Sequence, residues 1–171
     1  MQESLPTGSA AAPAADIFLH VKTKRAGKIK GEASSPEHVD DIVVSAWNWG
    51  LAAGSAIGSG QATARRSYKH LAIVKRIDSA STSLMSALAT NDEVKEARLA
   101  MRRAGDGQVD YFAIVLGGAR VAAIDLEVDD EGTPVERVQF SFTRVDVEYR
   151  RQEGSGQAGA SSLFSDEVLP R

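Results

Sequence analysis

The sequence contains no cysteine. That removes disulfides, thiolate metal ligands and cysteine nucleophiles together, and it suits folding in a reducing compartment without requiring one. Histidine is scarce, with His20, His38 and His70 widely spaced and in no His-Glu-x-x-His arrangement. A zinc site would need all three to converge, so they read as surface or hydrogen-bonded residues. No Gly-x-Ser-x-Gly elbow is present, because Gly54-Ser55-Ala56-Ile57-Gly58 misplaces the serine, and no Gly-Lys-Ser/Thr follows that would make it a phosphate loop. Neither sign of charge dominates: 20 basic against 23 acidic residues leave a net charge of -3, which gives no global case for nucleic acid or an anionic membrane. No apolar run approaches the length of a membrane span. The start, MQESLPTGSAAAPAAD, lacks the basic and apolar regions of a secretory signal. These absences predict no catalytic residue, no cofactor and no metal.

What is present is a chain of 171 residues, 43% hydrophobic, enough for one domain with one core. Residues 1–15 and 153–162 are rich in Ala, Ser and Gly without a periodic apolar face, so residues 1–15 and 152–171 read as flexible ends around a domain at 16–151. Within that domain the apolar period is two. Ile17, Leu19 and Val21 alternate with Phe18, His20 and Lys22, and Ala97, Leu99 and Met101 alternate with Glu96, Arg98, Ala100 and Arg102. Gly105-Asp106-Gly107 then reads as a hairpin turn into residues 109–116, which are apolar on both faces, and residues 122–128 read as a further strand closed by the acidic turn at 129–134. Asp129, Asp130 and Glu131 are calcium-ligand types, but capping a hairpin is their commoner use. Val138, Phe140 and Phe142 share one parity and Val145, Val147 and Tyr149 the other, so the chain changes face at Thr143-Arg144, as a barrel corner requires.

Three segments depart from the period. Residues 79–90 carry Leu84, Ala87 and Leu88 at helical spacing with Asp78 or Ser81 as N-cap, predicting one short amphipathic helix. Lys22, Lys24, Arg25, Lys28 and Lys30 form a basic run that reads as a solvated face or a charged subunit contact. Residues 50–67 are small, polar and punctuated by glycine, too long for a tight turn. Just before them stands Ser45-Ala46-Trp47-Asn48-Trp49-Gly50, in a chain only 6% aromatic. In one extended strand Trp47 and Trp49 share a face with Val43 and Ser45, while Asn48 shares the other with Ile42, Val44 and Ala46. The upstream neighbours are apolar, which favours Trp47 and Trp49, with Phe140 and Phe142, as core residues and leaves Asn48 exposed.

Taken in order, Lys30-Gly31-Glu32, DDIVVSAWNWG, the Gly/Ala-rich loop, LAIVKRIDSASTSLMSALAT, VKEARLAMRRAG, VDYFAIVLGGARVAAIDL and ERVQFSFTRVDVEY resemble the haemolysin-coregulated protein (Hcp) family of type VI secretion. The resemblance spans nearly all of residues 16–151. It implies a mainly β fold, a closed barrel of two antiparallel sheets with one flanking helix. It implies a homohexameric ring, stacking of rings into the inner tube of a contractile injection apparatus, and export of the tube without a signal peptide. The implied partners are further copies of the chain, the tip spike, sheath and baseplate of the apparatus, and small effector proteins in the ring lumen, with no nucleic acid and no membrane insertion. By position, Asn48 becomes a candidate lumen residue, and Gly50, Leu51, Ile57, Arg65 and Arg66 become candidates for contacts between subunits or rings.

Two other readings compete. A monomeric ligand-binding barrel would use Trp47 and Trp49 to stack a sugar or base, and an enzyme would act through His70 or the acidic turn. The position of the two tryptophans separates the first of these from a tube subunit.

Overall fold

The computed structural model describes residues 15–54, 65–103, 109–152 and 158–168. The chain begins with three strands, β1 (Asp16–Thr23), β2 (Gly27–Ile29) and β3 (Ile42–Val43). Next come β4 (Ala46–Asn48), β5 (Leu51–Gly54), β6 (Arg65–Tyr68) and β7 (Leu71–Arg76), followed by the helix α1 (Ser81–Ala89). The remaining strands are β8 (Val94–Arg102), β9 (Phe112–Val128), β10 (Pro134–Ser141), β11 (Arg144–Gln152) and β12 (Ala158–Glu167). Among the described residues every strand pairing is antiparallel, along a path β2-β1-β8-β9-β10-β7-β4, with β11 and β12 continuing from β9 and β3 lying on β1. The fold is mainly β with one short helix, as the two-residue period predicts.

Residues 42–48 bring that path back on itself. Ile42 and Val43 pair with Leu19 and Phe18 of β1, whereas Ala46, Trp47 and Asn48 pair with Val74, Ile73 and Ala72 of β7. At the crossing, Val44 N donates to Ile17 O and Ser45 N to Val74 O, both at 2.9–3.0 Å. A single short segment therefore bridges β1 and β7. The crossing also shifts the parity: Ile42 and Val44 are buried, yet Trp47 and Trp49 pack on the core two and four residues past Ser45. Val43 and Ser45 are exposed, so the single-strand expectation that they share the tryptophans' face is corrected.

Three further segments differ from the sequence reading. Residues 112–128 form one 17-residue strand rather than two, paired with β8 and β11 over its first half and β10 over its second. The bend lies at Gly118, whose φ of +53° suits glycine and lets the strand pass from one sheet to the other. Across from it, the break between β10 and β11 covers residues 142–143, next to the phase change expected at Thr143-Arg144. The C-terminal stretch, expected to be a flexible tail, contains β12, which pairs with β11 from Arg144↔Glu167 to Gln152↔Ala158. Its sequence, AGASSLFSDE, has small polar residues where a core strand would alternate, so periodicity does not reveal an edge strand that buries little. The predicted turn at Gly105-Asp106-Gly107 and the first 14 residues lie outside the described residues.

The core is formed by Leu19, Val21, Ile42, Leu71, Ile73, Leu99, Ile114, Leu116, Val138, Phe140 and Val145, with Leu84 and Ala87 supplied by α1. The helix begins two residues later than expected, and Leu88, assigned to its inner face, is 38% exposed. Nine residues make a helix too short to stand alone in water, so its packing stabilises it. Ala80 is the N-cap and no side chain caps the helix, so neither Asp78 nor Ser81 is the cap expected; they brace the turn before it, Asp78 Oδ1 accepting from Ala80 N at 2.9 Å and Ser81 Oγ from Asp78 N at 3.0 Å.

Candidate functional site: a sheet face, an arm and a carboxylate-histidine clasp

Asn48 is exposed and belongs to a cross-strand row. It faces Ala72, which faces Gln139, which faces Ala123. Residues opposite one another across paired strands project to the same side, and Gln139 lies between the fully buried Val138 and Phe140. The next row is Ala46, Val74, Arg137 and Asp125. The outer face of β4, β7, β10 and β9 is thus shallow, with two amide side chains about 10 Å apart separated by a small residue. Gln139 has no motif of its own in the sequence; only the register brings it beside Asn48.

Behind this face, Trp47 stacks on Phe112 with ring centroids 6.3 Å apart. Trp49 stacks on Tyr68 at 6.0 Å and meets Phe142 at 6.4 Å. Trp47, Trp49 and Phe142 are half-buried against the core, and Phe140 is wholly buried. The tryptophans are wall residues rather than an open platform.

Part of the glycine-punctuated segment at 50–67 is an arm. β5 and β6 form their own two-stranded sheet, paired from Leu51↔Tyr68 to Gly54↔Arg65. Lys69 N donates to Gly50 O at 2.9 Å at its root. Leu51, Arg65 and Arg66 are exposed along it, and Ile57 lies outside the described residues. Arg66 and Tyr68, two residues apart and so on one side of β6, both donate to the Asp166 carboxylate on β12, with Arg66 Nη2 3.0 Å from Oδ1. Hydrogen bonds first from Tyr68 and then from Arg66 hold the Asp166 carboxyl below the usual aspartate range.

The histidines that looked scattered are in part brought together. His38 is buried, with Nδ1 3.0 Å from Asp41 Oδ2 and Nε2 2.9 Å from Asp110 Oδ1. His20 Nδ1 lies 3.1 Å from Asp41 Oδ1, and Lys28 Nζ lies 3.0 Å from the same oxygen. The His38 ring stacks on Phe18 at 4.4 Å, and the Arg102 guanidinium lies over the Phe18 ring at 5.0 Å. Burial alone would raise the Asp41 carboxyl; hydrogen bonds from His38, Lys28 and His20 together outweigh it and lower it. This cluster clasps the 31–41 loop to β1 and to the start of β9. It borders an open cleft of about 290 Å³ lined by Glu37, Glu96, Arg98 and Asp110 among others. His70, between β6 and β7, is exposed and joins none of it. The acidic turn closes the β9-β10 hairpin, Asp129 Oδ1 accepting from Glu131 N at 3.0 Å and Thr133 N at 2.8 Å.

The features define an antiparallel β-barrel protein with a projecting two-stranded arm and a shallow, small-residue outer sheet face. A family model described as "Type VI secretion system effector, Hcp" matches residues 18–149. The chain belongs to this Hcp family. It is 29% identical over 147 residues to Protein hcp1 of Pseudomonas aeruginosa, covering 84% of this chain and 88% of that one. Among solved structures it is similar to Hcp1 from Salmonella typhimurium, with 27% identity, a TM-score of 0.72 and 91% and 95% of the two chains covered. A mutant form of the Hcp1 protein from E. coli EAEC 042 shares the fold, with a TM-score of 0.73, 21% identity and 90% and 99% covered.

Proposed function

We propose that the protein is a subunit of the type VI secretion inner tube: copies close into a hexameric ring, rings stack, and the tube is assembled in the cytoplasm and exported with small effectors held in its lumen. The observation that carries this reading is the placement of exposed apolar side chains at the two opposite ends of one sheet. Val39 and Val43, 57% and 52% exposed, lie on the side of β1 that carries β2 and β3. Leu163 and Phe164, 70% and 42% exposed, lie on β12 at the far end. Two different patches at opposite ends suit a head-to-tail contact, which closes into a ring when each step adds a fixed rotation. In this reading the Asn48-Gln139 face looks into the lumen, the arm reaches the neighbouring copy or ring, and the partners beyond the ring are the tip spike, sheath and baseplate. No step of the proposal calls on enzymatic chemistry.

The test is the mass of the purified chain by light scattering on a sizing column. A species of about six times the 18.2 kDa chain mass supports the closed ring, and Leu163→Asp should convert it to smaller species. A wild-type monomer at high concentration would sink the ring. For the lumen, Asn48→Trp should abolish effector co-purification while leaving the ring mass unchanged; retained co-purification would move cargo contact elsewhere.

A further inference from the structure

A two-stranded sheet by itself is marginal in water. The β5-β6 arm pairs with no other described strand, and Leu51–Gly54 is exposed throughout. Its direction must therefore come from what its root and its flank touch. The root is the Trp49, Tyr68 and Phe142 cluster, in which the Tyr68 and Phe142 rings meet edge-on at 6.1 Å. Aromatic contact of this kind favours stacked or edge-on rings but supplies no directional bond along the arm. The flank is different in kind. Arg66 presents Nε and Nη2 as a fork to the two oxygens of Asp166, and the Tyr68 hydroxyl donates to the same carboxylate. A bidentate guanidinium-carboxylate pair fixes orientation as well as distance.

The acceptor is itself firmly mounted. Asp166 faces the fully buried Val145 in the β11-β12 register, Glu167 faces Arg144, and Val168 N donates to Thr143 O at 2.7 Å just beyond. Thr143 is the crossing point where the chain passes from β10 to β11, and its amide donates to Gly117 O. The carboxylate thus belongs to the barrel corner, where β12 is tied to the β10-β11 crossing by backbone hydrogen bonds.

We propose that Asp166 is the positioning residue of the arm, holding it at the angle from which it meets another copy of this chain. The part of this that concerns another copy rests on the tube reading above; the clamp itself does not. β12 then has a purpose that its small core contribution leaves unexplained: it carries the anchor for a projecting element more than 90 residues earlier in the chain.

The experiment is hydrogen exchange on the full chain in three variants, Asp166→Asn, Arg66→Ala and the swap Arg66→Asp with Asp166→Arg, each also assayed for ring mass and for ring-ring association by sedimentation. Amides of β5 and β6 should exchange at least about tenfold faster in both single variants and return toward wild type in the swap. Amides of β11 should not change. Unaltered arm exchange in both single variants overturns the proposal. So does faster exchange in Asp166→Asn that is matched along β12 and missing in Arg66→Ala, since that is strand fraying. Faster arm exchange with unaltered ring mass and ring association would keep the clamp and remove the arm's role between copies.

Discussion

Lys75 Nζ lies 2.7 Å from Glu136 Oε2, and no solvent reaches either side chain. The two residues face each other across β7 and β10. The same ammonium lies 2.7 Å from Asp78 Oδ1 and 3.0 Å from Ser81 Oγ, and Ser81 Oγ donates to Glu136 Oε2 at 2.7 Å. Three partners match the three donors of an ammonium group. The network ties the start of α1 to two strands, so it explains how a nine-residue helix is held on the barrel.

Removing one member leaves the others buried without compensation. Lys75→Met should destabilise the fold by about 3–5 kcal/mol, whereas Lys75→Met with Glu136→Leu should recover most of that, because the second change removes the stranded carboxylate. Urea unfolding followed by circular dichroism measures both. A double variant no more stable than the single one would mean that the pair stabilises the fold by more than its desolvation costs.

Asp41 gives the fold an acid dependence whose sign is fixed. Its carboxyl is lowered in the folded state, so its contribution is fully present above the unfolded aspartate value of about 3.9 and is lost as pH falls through the lower folded value. Asp41→Asn should melt below wild type at pH 7, with the difference shrinking once pH drops under about 4. Thermal melts at several pH values test this; a difference that stays constant into acid would show that the clasp to His38, His20 and Lys28 does not depend on the carboxylate charge.

The strands of the barrel were legible because burying one face writes a period of two into the residues that do it, as at Leu19, Val21, Leu99 and Met101. The corner at Thr143-Arg144 was legible for the same reason, since a chain that changes sheets must change parity. The crossing at Val44-Ser45 was not, because Val43 and Trp47 are both apolar and pattern alone cannot say which is exposed. β12 was missed because it buries little. The His38 clasp was invisible because Asp110 lies 72 residues further on, and sequence spacing carries no information about partners that meet only through the fold. Asn48 stood out by its place between two tryptophans, while Gln139 needed the strand register.

Gly118 tests the corner directly. Its φ is +53°, and a Cβ there would lie 2.1 Å from Thr143 Oγ1. Gly118→Ala should cost more than about 2 kcal/mol in the wild-type background, but only the backbone share of about 1–2 kcal/mol once Thr143→Ala has cleared the space. A double-mutant cycle in guanidinium chloride separates the two parts. Equal cost in both backgrounds would mean that Thr143 moves aside freely and that the left-handed backbone alone accounts for the loss.

Trp49 separates wall from platform. Its Nε1 is buried and meets no acceptor among the described residues, while its ring packs against Tyr68 and Phe142, which also meet each other. Trp49→Phe deletes the unpaired donor along with some ring volume, two effects of opposite sign, and should stay within about 1 kcal/mol of wild type. Trp49→Ala removes the ring contacts as well and should cost about 2–4 kcal/mol, somewhat below a fully buried tryptophan because this one is half-buried. Chemical unfolding of both variants, in dilute solution and again at the higher concentrations that would favour the proposed ring, provides the comparison. A loss well above 1 kcal/mol for Trp49→Phe only at the higher concentration would mean that assembly supplies the indole with an acceptor, and the aromatic root of the arm would then belong to the contact between copies.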